Sequence, residues 1–238
     1  TGKINNRYYT VHSYLHLKKA NDSLLKANER LYNSLRENYA IADSIPNHFL
    51  DSMSLDSIAP LQKIKYHGAH VISNSVSTQS NYLVLDKGSA DSIKAGMGVI
   101  DASNAVVGII TQVSDHYAVV MSMLHKDSHM SGQLLRSKET GTLSWDGTEP
   151  NMVTLNNIPK STKIYRGDTI ISSGFSTAIP RGKMMGRVVS LIKESGNNFY
   201  RVKFKTSADF YSLQYVYIIE NAHQEAVNSM LEQIKSQH

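Results

Sequence analysis

The sequence predicts a mainly β protein in which an N-terminal helix precedes two small β-barrels. Leucines recur every seven residues near the N-terminus, apolar and polar residues alternate across residues 69–220, and a glycine-marked motif occurs twice within that alternating region. A period of seven is typical of a coiled-coil helix, whereas a period of two is typical of half-buried strands. We therefore expect four parts, namely a helix that forms a dimeric coiled coil (1–42), a linker (43–68), a tandem barrel region with an internal repeat (69–220) and a short amphipathic helix (221–238).

The composition is that of a folded chain without cysteine chemistry. The 238 residues are 41% hydrophobic and 19% charged, which suffices for one large core or two small ones and excludes disorder throughout. Cysteine is absent, so disulfide scaffolds, thiolate metal sites and cysteine nucleophiles are excluded. The formal charge of +5 is lower than a DNA-wrapping protein usually carries, and no motif assigns it to a ligand.

The N-terminal helix carries a heptad pattern. Leu17, Leu24 and Leu31 occupy the d positions, and Tyr14, Asn21, Asn28 and Leu35 occupy the a positions. Leucine at d combined with asparagine at a is typical of a parallel two-stranded coil, in which each asparagine pairs with its twin and fixes the register. These seven residues are therefore candidates for an oligomerisation surface. A single amphipathic helix that packs on its own domain is the alternative.

Residues 69–220 are predicted to form about twelve short strands. In residues 200–205 three apolar or aromatic side chains alternate with three basic ones, and a turn at 195–198 precedes them. Short strands with few helix-length segments between them favour a β-sandwich or a barrel.

An internal repeat divides this region into halves. Residues 94–100 are similar to residues 165–171, and each copy is followed by a strand that begins with glycine, Gly108 or Gly186. Glycine suits sharply coiled strands at the corners of a barrel. Two similar halves imply two small barrels, the second with a longer loop at 172–180.

The flanking segments have weaker patterns. Residues 43–68 contain Pro46, Pro60 and many serines and aspartates, as a linker does. Beyond residue 220, an apolar stripe that includes Val227, Met230 and Ile234 predicts a short helix. Such a helix packs on its own protein more often than it binds a partner.

No pattern in the sequence predicts catalysis. The segment Gly167-Asp168-Thr169 is similar to the nucleophile segment of trypsin-like proteases, but it lacks a serine set among glycines and continues into a strand. We interpret it as a turn at Asp168. His125 and His129 stand four residues apart without the glutamate of a metalloprotease motif, so no metal site is expected.

The basic strand at 200–205 raises the question of nucleic-acid binding, because cations and aromatic rings together bind single strands. The aromatic side chains of that strand point to the face opposite the cations. We therefore expect a solvated basic face over an apolar core, with no nucleic-acid ligand and no cofactor.

The order of these segments resembles the MreC family of bacterial rod shape-determining proteins over about residues 10–220. The matching positions are short motifs in the same order, namely 69–72, 81–82, 87–89, 93–99, 107–108, 167–169, 172–174, 179–182, Gly186 with Val188, and Leu213 with 215–216. Two features depart from the family pattern. Ile179 stands where phenylalanine often precedes Pro-x-Gly, and the C-terminal stripe lies beyond the usual core.

The resemblance implies both a fold and a function. The barrels would be six-stranded and chymotrypsin-like without catalytic residues, and the protein would be a non-enzymatic periplasmic scaffold of the cell-wall elongation machinery that controls cell shape. Its partners would be a second copy in a homodimer, further copies in higher assemblies, MreD, the MreB system and a class B penicillin-binding protein whose transpeptidase it helps to activate. The resemblance also implies that one N-terminal helix anchors the full-length protein in the bacterial inner membrane.

Two groups of residues in the barrels are candidates for specific roles. Structural roles in turns and close strand contacts are expected for Gly88, Gly96, Gly108, Gly167, Asp168, Ser173, Gly174, Pro180, Gly182 and Gly186. A partner-contact surface on the second barrel is expected from Phe175, Ile179, Met184 and Met185, with core packing as the alternative.

Two other functions stay open at this point. A periplasmic adaptor of an efflux or secretion system also joins coils to β domains, although it usually has two antiparallel heptad segments and only one precedes the β region here. A trypsin-like hydrolase would require the serine nucleophile that the Gly167-Asp168-Thr169 segment lacks.

Overall fold

The computed structural model describes residues 2–35, 38, 63–193, 196 and 198–222, which fall in two compact units, 1–62 and 63–238. The elements are α1 (Gly2–Asn33), β1 (Ile64–Asn74), β2 (Ser80–Leu85), a 3-10 turn (Ser89–Asp91), β3 (Gly98–Asp101), β4 (Val106–Val113), β5 (Ala118–His125), β6 (Ser131–Leu134), β7 (Thr140–Ser144), β8 (Met152–Pro159), β9 (Thr169–Ser172), β10 (Met184–Lys193), β11 (Phe199–Thr206) and β12 (Tyr215–Asn221). Residues 43–62 of the expected linker and residues 223–238 of the expected C-terminal helix lie outside the described residues.

The first unit contains α1, a helix of 32 residues. At its end the backbone N–H of Ser34 donates to the carbonyl of Arg30 at 3.0 Å, and the Ser34 hydroxyl donates to the carbonyl of Leu31 at 2.8 Å. A serine that bonds back to the last turn competes with helix continuation. Leu35, the last expected a position, therefore lies just beyond the helix. No helix in the described part of the chain is both long and apolar enough to cross a membrane.

The second unit consists of two closed six-stranded barrels, which confirms the predicted fold class. The first barrel has the strand order β1-β12-β3-β4-β5-β2, and the second has the order β10-β11-β8-β7-β6-β9. Every neighbouring pair for which a register is defined is antiparallel. The chain completes the second barrel before β12 returns to close the first, so the two barrels fold from interleaved segments of one chain.

The first strand begins earlier than the sequence pattern indicates. β1 starts at Ile64, where it pairs with Asn221 of β12, so residues 64–68 belong to the first barrel rather than to the predicted linker. Tyr66 is buried in this stretch, whereas the neighbouring Lys65 is exposed. The expected boundary at residue 69 was wrong because Gly68, a residue type that is uncommon in strands, interrupts the alternation of Ile64 and Tyr66 with Lys65 and His67.

The cores follow the predicted alternation. In β11, Val202, Phe204 and Thr206 are buried, whereas Lys205, which lies between Phe204 and Thr206, is exposed. The first barrel is filled by side chains such as Leu83, which is fully buried. Inward apolar residues that alternate with outward polar ones are what a small barrel filled by its own side chains requires.

The internal repeat corresponds to two equivalent turns. Gly96 and Gly167 occupy matching repeat positions, and both have a φ of +88°, which favours glycine. The Gly96 N–H donates to the carbonyl of Ile110 at 2.7 Å, and the Gly167 N–H donates to that of Val188 at 2.8 Å. Each turn therefore leads into its barrel in the same way, which explains the repeated sequence.

Residues 172–183 connect β9 to β10 and are called the junction segment below. The Ser172 hydroxyl closes its base, since it donates to the carbonyl of Pro180 at 2.5 Å and accepts from the N–H of Lys183 at 2.9 Å. From the first barrel, the Asn221 side chain donates to the carbonyl of Thr177 at 3.0 Å. The segment thus belongs to the second barrel but bonds to the first.

Packing and backbone pairing reinforce this connection. Gly98 on β3 lies so close to the junction segment that an added Cβ would sit 2.4 Å from the carbonyl oxygen of Ala178. Next to the segment, the N–H of Met184 donates to the carbonyl of Asn104 at 3.1 Å, and Met184 forms a parallel bridge with Ala105. Backbone contacts of this kind hold the two barrels against each other.

Substitution of Gly98 tests this contact. We expect Gly98→Ala to lower the free energy of unfolding by about 2 kcal/mol, because the new methyl group must displace the backbone at Ala178. Urea denaturation measures the change. The control is Gln112→Ala, at an exposed position of β4. Equal stability of the Gly98→Ala and Gln112→Ala variants would contradict close packing between the barrels.

Candidate functional site

The helix presents a row of exposed leucines. Leu17, Leu24 and Leu31 are 64%, 59% and 64% exposed, and their spacing of seven places them on one face of α1. Asn21 and Asn28 at the expected a positions are half-buried. Three large apolar side chains in one exposed row form a surface that can pair with another helix.

Two other residues of the expected oligomerisation surface contribute less to the exposed row of leucines. Tyr14 lies within α1, and its side chain falls outside the described residues. Leu35 is 40% exposed but lies past the helix end, so it does not extend the regular heptad row. Within residues 17–33 of this helix, where burial is described, the buried apolar residue is Leu25, which the heptad places at an e position.

The junction segment presents one aromatic side chain to solvent. Phe175 is 79% exposed and follows Gly174, whose φ is +79°. Its N–H donates to the hydroxyl of Ser173 at 3.2 Å, and that buried hydroxyl donates to the Ser131 hydroxyl at 2.8 Å. An exposed aromatic ring on a loop with a fixed base is a suitable anchor for a partner protein.

The other three expected contact residues have different environments. Ile179 and Met185 are 3% and 1% exposed, so the alternative of core packing applies to both. Met184 is half-buried and makes the backbone contact with Asn104 described above. The exposed contact surface of this group therefore reduces to Phe175, because the junction segment turns the adjacent apolar side chains inward.

Glycines with expected structural roles lie at close backbone contacts. An added Cβ on Gly88 would lie 2.3 Å from the carbonyl oxygen of Ser114, and one on Gly108 would lie 2.2 Å from that of Met121. An added Cβ on Gly186 of β10 would lie 2.2 Å from the carbonyl oxygen of Lys205 on β11. In the junction segment, Gly182 has a φ of +95°. Gly88, Gly108 and Gly186 therefore contact neighbouring backbone, whereas Gly182 is exposed and is required by its positive φ.

Asp168 is a buried turn residue that holds two other groups. One carboxylate oxygen accepts from the N–H of Tyr165 at 2.9 Å, and the other pairs with the guanidinium of Arg136 at 2.7 Å. That guanidinium also lies over the Tyr165 ring, 4.8 Å from its centroid. The turn predicted at Asp168 is present, but no sequence signal indicated Arg136, since it lies on a different loop.

His125 and His129 do not meet. His125 ends β5 and is buried, its Nε2 lies 3.0 Å from the Tyr82 hydroxyl, and its Nδ1 accepts from the N–H of Asp127 at 3.0 Å. His129 is exposed on the following loop. Among the residues that the structure describes, no group of three potential ligands could hold a metal ion.

Comparison with known proteins identifies the family. The family model described as rod shape-determining protein MreC, barrel core, matches residues 71–220, which is more than half of the chain. This chain belongs to the MreC family. The matched range contains the junction segment and both barrels, apart from residues 64–70 of β1 and Asn221 of β12.

Individual MreC proteins agree with this assignment. The cell shape-determining protein MreC of Haemophilus influenzae is 27% identical over 162 residues, which are 68% of this chain and 46% of that protein. The chain thus spans about half the length of that relative. A solved MreC of Listeria monocytogenes is 22% identical with a TM-score of 0.61, over 89% of this chain and 92% of that one.

Two further MreC structures share the barrel fold. The major periplasmic domain of the cell shape-determining filament MreC is 20% identical with a TM-score of 0.59, over 68% of this chain and 99% of that one. Helicobacter pylori MreC, solved in complex with the penicillin-binding protein PBP2, is 16% identical with a TM-score of 0.52, over 67% and 99%. At these identities the likeness establishes the fold alone.

The buried histidine of this MreC barrel predicts a pH dependence of stability. Burial lowers the pKa of His125 below its ordinary value of 6.5, Lys126 acts in the same direction, and Asp127 opposes them. The unfolded chain therefore binds this proton more readily than the folded chain. The resulting stability is complete above pH 6.5 and is lost as the pH falls from 6.5 through the folded-state pKa.

We expect His125→Gln to lose less thermal stability than the native sequence between pH 7 and pH 5. Thermal unfolding followed by circular dichroism at both values measures this difference. The matched control is His116→Gln, because His116 is exposed. An acid sensitivity that persists unchanged in His125→Gln would show that another group is responsible.

Proposed function

We propose that this chain is a non-enzymatic scaffold of the cell-wall elongation machinery, which controls cell shape by pairing with itself and by binding and activating a class B penicillin-binding protein. The observation that carries the proposal is the exposed Phe175 anchor on an MreC barrel core. The structure of Helicobacter pylori MreC with PBP2 supports a partner of this class. The family resemblance adds MreD and the MreB system as further partners.

The proposed location is the periplasm, with the full-length protein anchored in the bacterial inner membrane. The description of a related barrel region as a major periplasmic domain supports this location. The absence of cysteine from the sequence is consistent with an oxidising compartment, where a stray thiol would form unwanted disulfides. No cofactor and no nucleic acid are part of the proposal.

Bivalency is the proposed mechanism. Two helices that pair along their leucine rows would bring two barrel pairs, and hence two Phe175 anchors, onto one stalk. Linking two binding sites raises the effective concentration of the second site, so that a modest contact gains avidity without any new interaction. The helix would therefore strengthen partner binding without touching the partner.

The leucine row is tested by Leu24→Asp combined with Leu31→Asp. We expect the native chain to sediment as a dimer and this variant as a folded monomer, because two carboxylates per helix oppose burial of the row. Sedimentation velocity and circular dichroism measure mass and folding. The control is Lys19→Asp with Lys26→Asp, two exposed positions on the opposite side of the heptad. A dimer that survives the leucine changes would place the main interface elsewhere.

The Phe175 anchor is tested by Phe175→Ser against a purified class B penicillin-binding protein. We expect binding to weaken about tenfold, since exposed aromatic anchors of interfaces typically contribute more than about 1 kcal/mol. Surface plasmon resonance measures the affinity. Tyr211→Ser removes another exposed ring and is expected to leave binding intact. Native affinity of Phe175→Ser would exclude this ring as the contact.

A further inference from the structure

The excess of positive over negative charge lies in the second barrel. Residues 130–206, which contain β6 to β11, carry twelve lysines and arginines but five aspartates and glutamates, a net charge of +7. The rest of the chain carries 13 basic and 15 acidic residues, a net charge of −2. The overall +5 is therefore not a general solubility feature, because it is concentrated on one of two similar barrels.

Two of these cations face each other across the sheet. Arg187 on β10 and Lys205 on β11 are direct antiparallel partners, and both are exposed on the outer face. In the described part of the chain, neither forms an ion pair with a carboxylate. Like charges placed directly opposite each other destabilise a sheet. A local arrangement that opposes stability is expected at a binding surface rather than at a purely structural one.

The adjacent turn at 165–168 extends this patch. The guanidinium of Arg187 lies 3.3 Å from the Thr169 hydroxyl and 3.5 Å from the carbonyl oxygen of Gly167, so it lies against the turn. Arg166 and Tyr165 are exposed on that turn. The group of Arg136, Tyr165, Arg166, Arg187 and Lys205 is called the basic face below.

One cation of the basic face is fixed in place. Arg136 is 62% exposed at its side chain, but its guanidinium is held from below by the buried Asp168 and stacked over Tyr165. A guanidinium has five N–H donors, so the ion pair with Asp168 leaves others for a ligand. An arginine that is already ordered loses less conformational entropy on binding than a free one.

We propose that the basic face docks a carboxylate-rich segment of a partner protein. Three of its four cations are arginines, whose planar guanidinium groups suit bidentate pairing with carboxylates. Arginine and tyrosine are also the residue types that dominate protein–protein binding energy. A fluid layer of lipid headgroups has no fixed geometry that would reward the ordered Arg136–Tyr165 pair. The basic face shares no residue with the Phe175 contact, so the docking proposed here is additional to the transpeptidase contact.

The test uses a fluorescent decaglutamate peptide with the full chain, followed by fluorescence anisotropy at two salt concentrations. We expect binding that weakens with salt. The Arg187→Gln, Lys205→Gln double variant should bind about tenfold more weakly. It should nevertheless unfold at the same or a higher temperature, because the like-charge pair is removed. The Lys19→Gln, Lys26→Gln variant makes the same change in net charge on the helix and should bind as the native chain does.

The fixed arginine is tested by Tyr165→Ala, which preserves every charge. We expect its affinity for decaglutamate to fall several-fold, since the guanidinium of Arg136 loses its stacking partner. If the barrel and helix double variants weaken decaglutamate binding equally, the proposal is overturned. If the native chain binds decathymidylate as tightly as decaglutamate, it is overturned as well. Either result indicates a general effect of polyanions. Binding to phosphatidylglycerol vesicles without binding to decaglutamate would overturn it in favour of lipid.

Discussion

The contacts of the junction segment determine how the two barrels are arranged. Since β12 closes the first barrel only after the second barrel is complete, the two barrels could in principle be joined by chain connections alone. The bond from Met184 to Asn104 and the close approach of Gly98 to Ala178 instead place them in direct contact. The Lys183 ammonium, 5.1 Å from the centre of the Tyr66 ring, adds a buried cation–π contact.

The same segment also explains why its apolar residues differ in role. Ile179 is buried where the segment packs, whereas Phe175 extends from the part that follows the Gly174 turn. The two environments are related, because an exposed side chain binds a partner more tightly when the backbone beneath it is already ordered. The helix carries a second exposed surface of a different kind, the row of Leu17, Leu24 and Leu31.

Regular features of the fold could be predicted from the sequence because they repeat. The alternation through Val202 and Phe204 indicated a strand, the similarity around Gly96 and Gly167 indicated two barrels, and the spacing from Leu17 to Leu31 indicated a helix face. Each of these signals depends on neighbours along the chain. The signal failed at residues 64–68, where Gly68 interrupts the alternation, and at Leu35, where the helix had already ended.

Long-range contacts could not be predicted in this way. Nothing in the local sequence of Arg136 shows that the turn at Asp168 will hold it, or that Arg187 will face Lys205 across two strands. Residue type also cannot distinguish Phe175 from Ile179, since both are apolar and only the path of the junction segment separates them. The sequence shows where the excess positive charge lies. Only the register of β10 and β11 shows that Arg187 and Lys205 are direct partners.

The junction segment holds the two barrels as one rigid body. Residual dipolar couplings of backbone amides, measured on the full chain in a weakly aligning medium, test it most directly. Couplings from β3 to β5 and from β8 to β11 should fit a single alignment tensor with the same magnitude and orientation. Two tensors of different magnitude would show that the barrels move independently and would contradict the account.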